Sequence, residues 1–311
     1  MSPHHQGTLF ALLATALWSG NFLVARDLAD TLPPITLAFW RWSLALLVLL
    51  PLAWRPARQQ WPLIRQHKGY LLLTALLGVT LFNTLIYQAG HSTEAINLSL
   101  IAISSPIWLA LMARGVLGEP IGPKRGLGLA LAFAGVLWLI LEGEPARLGQ
   151  LSFAAGDLWM LLAALIFAAY SLLLRFKPAE LSARVMLLAT FLPGWLMLLP
   201  GVAWEGEAFK GYSLSTWAAL AYVGLCASLL AYALWSRAVE LIGPGQAAGI
   251  YFLMPLFAGL QAAWWLGEPL TWLHGVSATL IIGGIALANR SATPVSASGS
   301  KINSLNSEEN T

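Results

Sequence analysis

Residues 94–120 of this chain, EAINLSLIAISSPIWLALMARGVLGEP, have a counterpart 149 positions later, GPGQAAGIYFLMPLFAGLQAAWWLGEP at 243–269. Both are long apolar stretches with a central proline, Pro106 and Pro255, and both end in LGEP. The same offset holds without a gap outside the pair: Gly7 meets Gly156, Arg26 meets Arg175, Pro51 meets Pro200, Gly126 meets Gly275 and Gly135 meets Gly284. A chain rich in Leu and Ala matches itself at any offset, so the argument rests on Gly, Pro, Arg and Glu. The chain is two copies of one unit, and whatever it folds into is built twice.

The solvent follows from composition. Hydrophobic residues make up 58% and charged residues 10%, with fifteen Trp and a mean hydropathy of +0.70. That is too little charge to cover a water-soluble globule of 311 residues. The basic pI of about 9.1 does not point to nucleic acid, because Lys and Arg sit in short clusters between apolar runs, where they orient a membrane protein. Cys226 is the only cysteine, so neither a disulfide framework nor a cysteine metal site is available, and no cofactor is expected.

Apolar runs near the ~20 residues that cross ~30 Å of hydrocarbon occupy residues 7–25, 34–54, 69–89, 94–117 and 124–141. In the second copy they occupy 156–174, 183–200, 214–236, 243–267 and 271–289. An all-α polytopic membrane protein with ten spans, five per copy, is predicted. The units run 7–141 and 156–290, joined by a linker at 142–155. Residues 1–6 form a short polar lead without a cleavable-signal pattern. Residues 291–311, rich in Ser and Asn, are expected to be a disordered tail.

Charge tests the count. With the N-terminus inside, every Lys and Arg among the seventeen falls in a cytoplasmic connection or the tail, save Arg26, Arg147 and Lys210 outside and Arg41 within a span. Both termini are thereby predicted to be cytoplasmic. A unit of five spans repeated in tandem re-enters the membrane upside down, so the copies form an inverted-topology repeat. Such pairs build alternating-access carriers, with the site near the midplane where the copies meet.

Polar side chains in the spans are the candidates for that site, since they face protein or water rather than lipid. The repeat pairs Asn21 with Tyr170, Asn83 with Tyr232 and Asn97 with Gln246. Tyr87 follows Asn83 by four residues on one helical face, Trp108 continues the face of Asn97, and Phe257 continues that of Gln246. Pro106 and Pro255 are expected to kink spans 4 and 9 as hinges. Gly118 and Gly267 are expected to end them. Glu119 and Glu268 read as helix-end anchors. Arg41 lies about eight residues into span 2, roughly 12 Å deep, where a bare charge costs ~2.5–3.5 kcal/mol on insertion scales. It either binds a substrate carboxylate or a helix end beside Trp40 or Trp42, or else reaches the headgroups or ties span 2 to neighbouring carbonyls. Its repeat mate is Thr190, so the charge is one-sided. The HSTE cluster at 91–94 lacks any nucleophile-elbow or HExxH context, and an enzyme is not expected.

Over about residues 7–290 the chain resembles the EamA-type members of the drug/metabolite transporter superfamily. The resemblance is carried by WSGNF at 18–22, which includes Trp18 and Asn21, by Arg41, by the central prolines and by the two GEP endings. It implies a plasma-membrane carrier, in bacteria of the inner membrane, often an exporter of amino acids, metabolites or drugs. Its cavity would be lined by spans 1, 3, 4, 6, 8 and 9, with spans 5 and 10 outside it. The expected partners are a small-molecule substrate and the lipid bilayer, with the protein a monomer or weak homodimer. Small four-helix multidrug relatives carry a glutamate in their first span, whereas this chain has Thr15, Trp18, Ser19 and Asn21 there. A facilitator or exchanger of neutral or zwitterionic metabolites such as amino acids is therefore expected. A proton-coupled drug exporter, a lipid translocator and a non-transporting scaffold are the alternatives.

Overall fold

The computed structural model describes residues 2–28, 31–92, 101–118, 120–150, 155–265 and 271–289. Asn97, Glu119, Glu268 and the tail at 291–311 lie outside the described residues. The first copy contributes α1 (Pro3–Leu28), α2 (Pro34–Gln59), the short α3 (Trp61–Gln66), α4 (Lys68–Gly90), α5 (Ser105–Leu117) and α6 (Pro123–Ile140). The second contributes α7 (Ala155–Leu173), α8 (Ala183–Glu205), α9 (Leu214–Tyr251), α10 (Met254–Trp265) and α11 (Trp272–Asn289). The protein is all-α, and α2, α4, α7, α8 and α9 are each long and apolar enough to cross a membrane.

The repeat holds at the resolution of single residues. α2 follows Pro33 and α8 follows Ser182, its mate, and both flanking residues are extended. α6 and α11 begin and end at mated positions, Pro123 with Trp272 and Ile140 with Asn289. Both copies also widen into a π-helical turn within their third span, at Leu76–Leu81 and at Tyr222–Leu230.

Packing exchanges the copies. α1 lies mainly on α9 and α10, and α7, its mate, lies on α4 and α5. α2 packs on its own mate α8, and α6 on its mate α11. The α6–α11 contact shows the two-fold relation directly. A Cβ on Gly128 would fall 2.5 Å from the Gly284 carbonyl oxygen, and one on Gly135 would fall 3.0 Å from that of Ser277. Each of these contacts becomes the other when both residues are replaced by their mates. Glycine at these positions lets the two backbones touch.

The protein is polar within and greasy without. Leu47, Leu127, Leu158 and Leu260 project outward, while Thr15, Ser19, Asn21, Arg41, Thr74 and Asn83 are buried. That inversion suits hydrocarbon, where polar groups must be satisfied internally.

Spans 4 and 9 are each interrupted about one turn before their central proline, Pro106 and Pro255, where a proline disturbs its helix. The chain makes a turn at residues 103–104 and at residues 252–253, and each proline sits in the first turn of the helix that follows. A missing N–H is harmless there, and the Ser104 and Ser105 hydroxyls donate to the carbonyls of Ile101 and Ala102. Residues 237–242, expected as a connection, are helical, and the change of direction is taken at Gly243 alone (φ 77°). Gly118 ends α5 in the left-handed conformation (φ 67°), as the GEP ending predicts.

Candidate functional site

A small cavity lies where the copies meet, lined by Trp18 and Asn21 of α1, Arg41 of α2, Phe82, Asn83 and Ile86 of α4, and Tyr251 of α9. Its volume is about 10 Å³, room for about one water molecule. The cavity is thus too small for a metabolite, which requires its walls to part.

Arg41 is the centre of the polar wall and is only 1% exposed. Its Nε donates to the Ser228 hydroxyl. One terminal nitrogen donates to Asn21 Oδ1 at 2.9 Å and to the Tyr87 hydroxyl at 2.8 Å. The other donates to the Ala227 carbonyl at 2.9 Å. Its carbon sits 5.4 Å from the centre of the Trp42 ring, close enough for cation-π attraction. Hydrogen bonds to a charged group are worth roughly 1.5–3 kcal/mol each, so four of them offset a desolvation penalty of several kcal/mol. Arg41 therefore stays within the protein, bound to helix carbonyl and neutral side chains from both copies, and does not reach the headgroups. Trp40 faces elsewhere, donating to the Ala208 carbonyl at 2.9 Å.

The π turns explain how the two copies are joined at this point. Gly78 and Ala227 are repeat mates, one in each π turn, and both present their carbonyl to side chains from the other copy. Gly78 O accepts from the Tyr232 hydroxyl at 2.7 Å, and Ala227 O accepts from Trp18 Nε1 at 2.8 Å as well as from Arg41. A π turn shifts backbone pairing from i+4 to i+5, which is how a helix interior offers a carbonyl sideways. Asn83 Nδ2 completes the link by donating to the Tyr232 hydroxyl at 3.0 Å.

Aromatic rings form the rest of the wall. Trp18 stands edge-on to Phe167, Tyr232 and Tyr251 with ring centres 5.5, 5.6 and 6.2 Å away. Tyr170 lies behind, its ring over Gly78 and 5.7 Å from Tyr232.

Of the residues singled out in the sequence, Trp18, Asn21, Arg41 and Asn83 come together on the cavity, with Tyr87, Tyr170 and Tyr232 directly behind them. Trp108 does not join them. It donates to the Ser104 hydroxyl and packs with a separate cluster that includes Leu109, Leu172 and Ala248. Gln246 and Phe257 are half-buried and away from this wall. The sequence reading missed Phe82, Ile86, Tyr251 and Ser228. Ile86 follows Phe82 by four residues and so shares its face, and that spacing was the available signal.

The profile of the EamA-like transporter family matches residues 5–141 and again 154–290. An uncharacterized transporter of Archaeoglobus fulgidus is 27% identical over 90% of this chain and 96% of its own length. A protein of Salmonella typhimurium named "Probable amino-acid metabolite efflux pump" is 27% identical over 88% of this chain and 92% of its own. A solved crystal structure matches with a TM-score of 0.71 at 20% identity, covering 92% of this chain and 96% of that one, and it shares the fold.

Proposed function

Because this chain belongs to the EamA-like transporter family, we propose that it is an alternating-access carrier of small neutral or zwitterionic metabolites, amino acids among them. It works in the plasma membrane with both termini in the cytoplasm. The observation that carries this reading is the placement of the cavity. It lies between two copies related by inversion and is bordered by a hydrogen bond between repeat mates, so rearrangement of either copy opens it to one side. Asn21, Asn83 and Arg41 supply hydrogen bonds to a substrate, and Trp18, Phe82 and Tyr251 enclose its apolar part. No carboxylate lines the cavity among the described residues, which favours a facilitator or exchanger over a proton-driven pump. The amino-acid substrate class is in keeping with the name of the Salmonella relative.

The experiment is counterflow in liposomes. Vesicles containing the purified protein and loaded with unlabelled amino acid should accumulate labelled amino acid transiently without any ion gradient. Uptake driven only by an imposed pH gradient would replace the exchanger with a proton-coupled carrier. No exchange of any amino acid would remove the substrate class.

A further inference from the structure

We infer that Arg41 is the specificity-determining residue of the cavity and that it selects substrates by a carboxylate, with the amino group of an amino acid dispensable. The inference rests on the carrier reading above and redraws its substrate class, from neutral or zwitterionic metabolites to carboxylates, amino acids included.

Arg41 has five N–H bonds to give, and four are met, by Asn21, Tyr87, Ser228 and the Ala227 carbonyl. Every one of these acceptors is neutral. None of them supplies a counter-charge, and the planar fork of a guanidinium matches a carboxylate better than it matches single hydroxyl or amide oxygens. Two of the present acceptors, the Asn21 amide and the Tyr87 hydroxyl, are ends of side chains that can turn aside, and both share one terminal nitrogen of Arg41. An entering carboxylate takes their place on that edge. The Ser228 and Ala227 bonds then continue to hold the guanidinium in register.

The opposite requirement, a counter-charge for a substrate ammonium, is not met. The remaining lining residues are Trp18, Phe82, Asn83, Ile86 and Tyr251, which offer ring faces and one amide. Such a wall tolerates an ammonium without demanding one. Because the mate of Arg41 is Thr190, the charge comes from one copy only, and the substrate keeps one orientation while the copies exchange conformations.

The test uses the full chain in lipid nanodiscs and four probes on one skeleton: 3-phenylpropionate, phenylalanine, phenethylamine and 3-phenylpropionamide. Ligand binding is read as a rise in unfolding temperature with probe concentration. The expected result is binding of the two carboxylates at comparable affinity, with the amine and the amide weaker by roughly 30-fold or more. Asn21→Asp keeps the shape of the site and sets an internal carboxylate against Arg41, so it should abolish the preference for carboxylates while leaving the protein folded. Arg41→Gln should do the same wherever it folds. Amine binding as tight as that of the carboxylates, or an unchanged preference in Asn21→Asp, overturns the inference while leaving a carrier. Binding of none of the four probes overturns both.

Discussion

Asn83 and Tyr232 occupy the same position in the two copies of the unit, and they are hydrogen-bonded to each other at 3.0 Å. Mated residues meet only on the axis that relates the copies, so this pair marks it. Tyr232 is also held by the Gly78 carbonyl, which places the link between the copies at a π turn. Removing its hydroxyl in Tyr232→Phe leaves Asn83 Nδ2 and the Gly78 carbonyl only their long bond to each other at 3.4 Å, and an ill-satisfied buried group costs about 1–3 kcal/mol. The variant should unfold at a clearly lower temperature. The double variant with Asn83→Ala should be less destabilised than the sum of the single changes, with a coupling of about 0.5–3 kcal/mol. Additive effects would mean that the pair does not act as a unit.

Gly78 should not tolerate a side chain. A Cβ there falls 2.4 Å from two atoms of the Tyr170 ring, and overpacking of this kind costs about 1–3 kcal/mol. Gly115 of α5 meets nothing within 4 Å, where Ala gains about 0.5–1 kcal/mol in a helix. Thermal unfolding in detergent should therefore fall for Gly78→Ala and hold or rise for Gly115→Ala.

The carboxylate of Glu205, at the end of α8, accepts from the backbone N–H groups of Ile35 and Thr36 and from the Thr36 hydroxyl. It caps the first turn of α2 from the other copy. Loss of a cap typically costs ~1 kcal/mol, more when the cap is charged and faces the positive end of a helix. Glu205→Ala should lower stability while probe affinities stay the same, since Glu205 is remote from the cavity lining. Altered probe selectivity in this variant would count against the site as drawn.

Topology is testable from both faces. Lys210 is exposed and paired with Glu207. In a background with Cys226 replaced by alanine, a cysteine at Lys210 should react with an impermeant thiol reagent only from outside, and one at Arg58 only from inside. Labelling of both from one face would break the inverted arrangement.

The sequence disclosed the repeat because Gly and Pro mark turns and helix starts by their own stereochemistry. That is why the equivalence of Pro123 with Trp272, and of Pro33 with Ser182, survives in the structure to the residue. Arg41 was legible as a compensated charge, since no bare guanidinium is stable at that depth. Its partners were not, because Ser228 and Ala227 reach it from a stretch nearly two hundred residues away whose backbone bears a π turn. Phe82 and Ile86 each lie one residue before Asn83 and Tyr87 on α4, and an apolar residue type does not by itself separate a cavity face from a packed or lipid-facing one. Tyr251, five residues after Gln246, falls off the helical face drawn from Gln246 to Phe257.

The paired π turns bear on ancestry. A deformation found at the same register in both copies was inherited from the unit before it was doubled, since two independent insertions would have no reason to coincide. The ancestor was therefore a single five-span polypeptide that already carried the distorted third helix. Such a polypeptide could assemble this architecture only by pairing with an oppositely inserted sister. Arg41, whose mate in the other copy is Thr190, is then a trait that fusion made possible. Two identical sisters would have had either two arginines or none at their shared centre, and only a joined gene could give the middle of the molecule a direction.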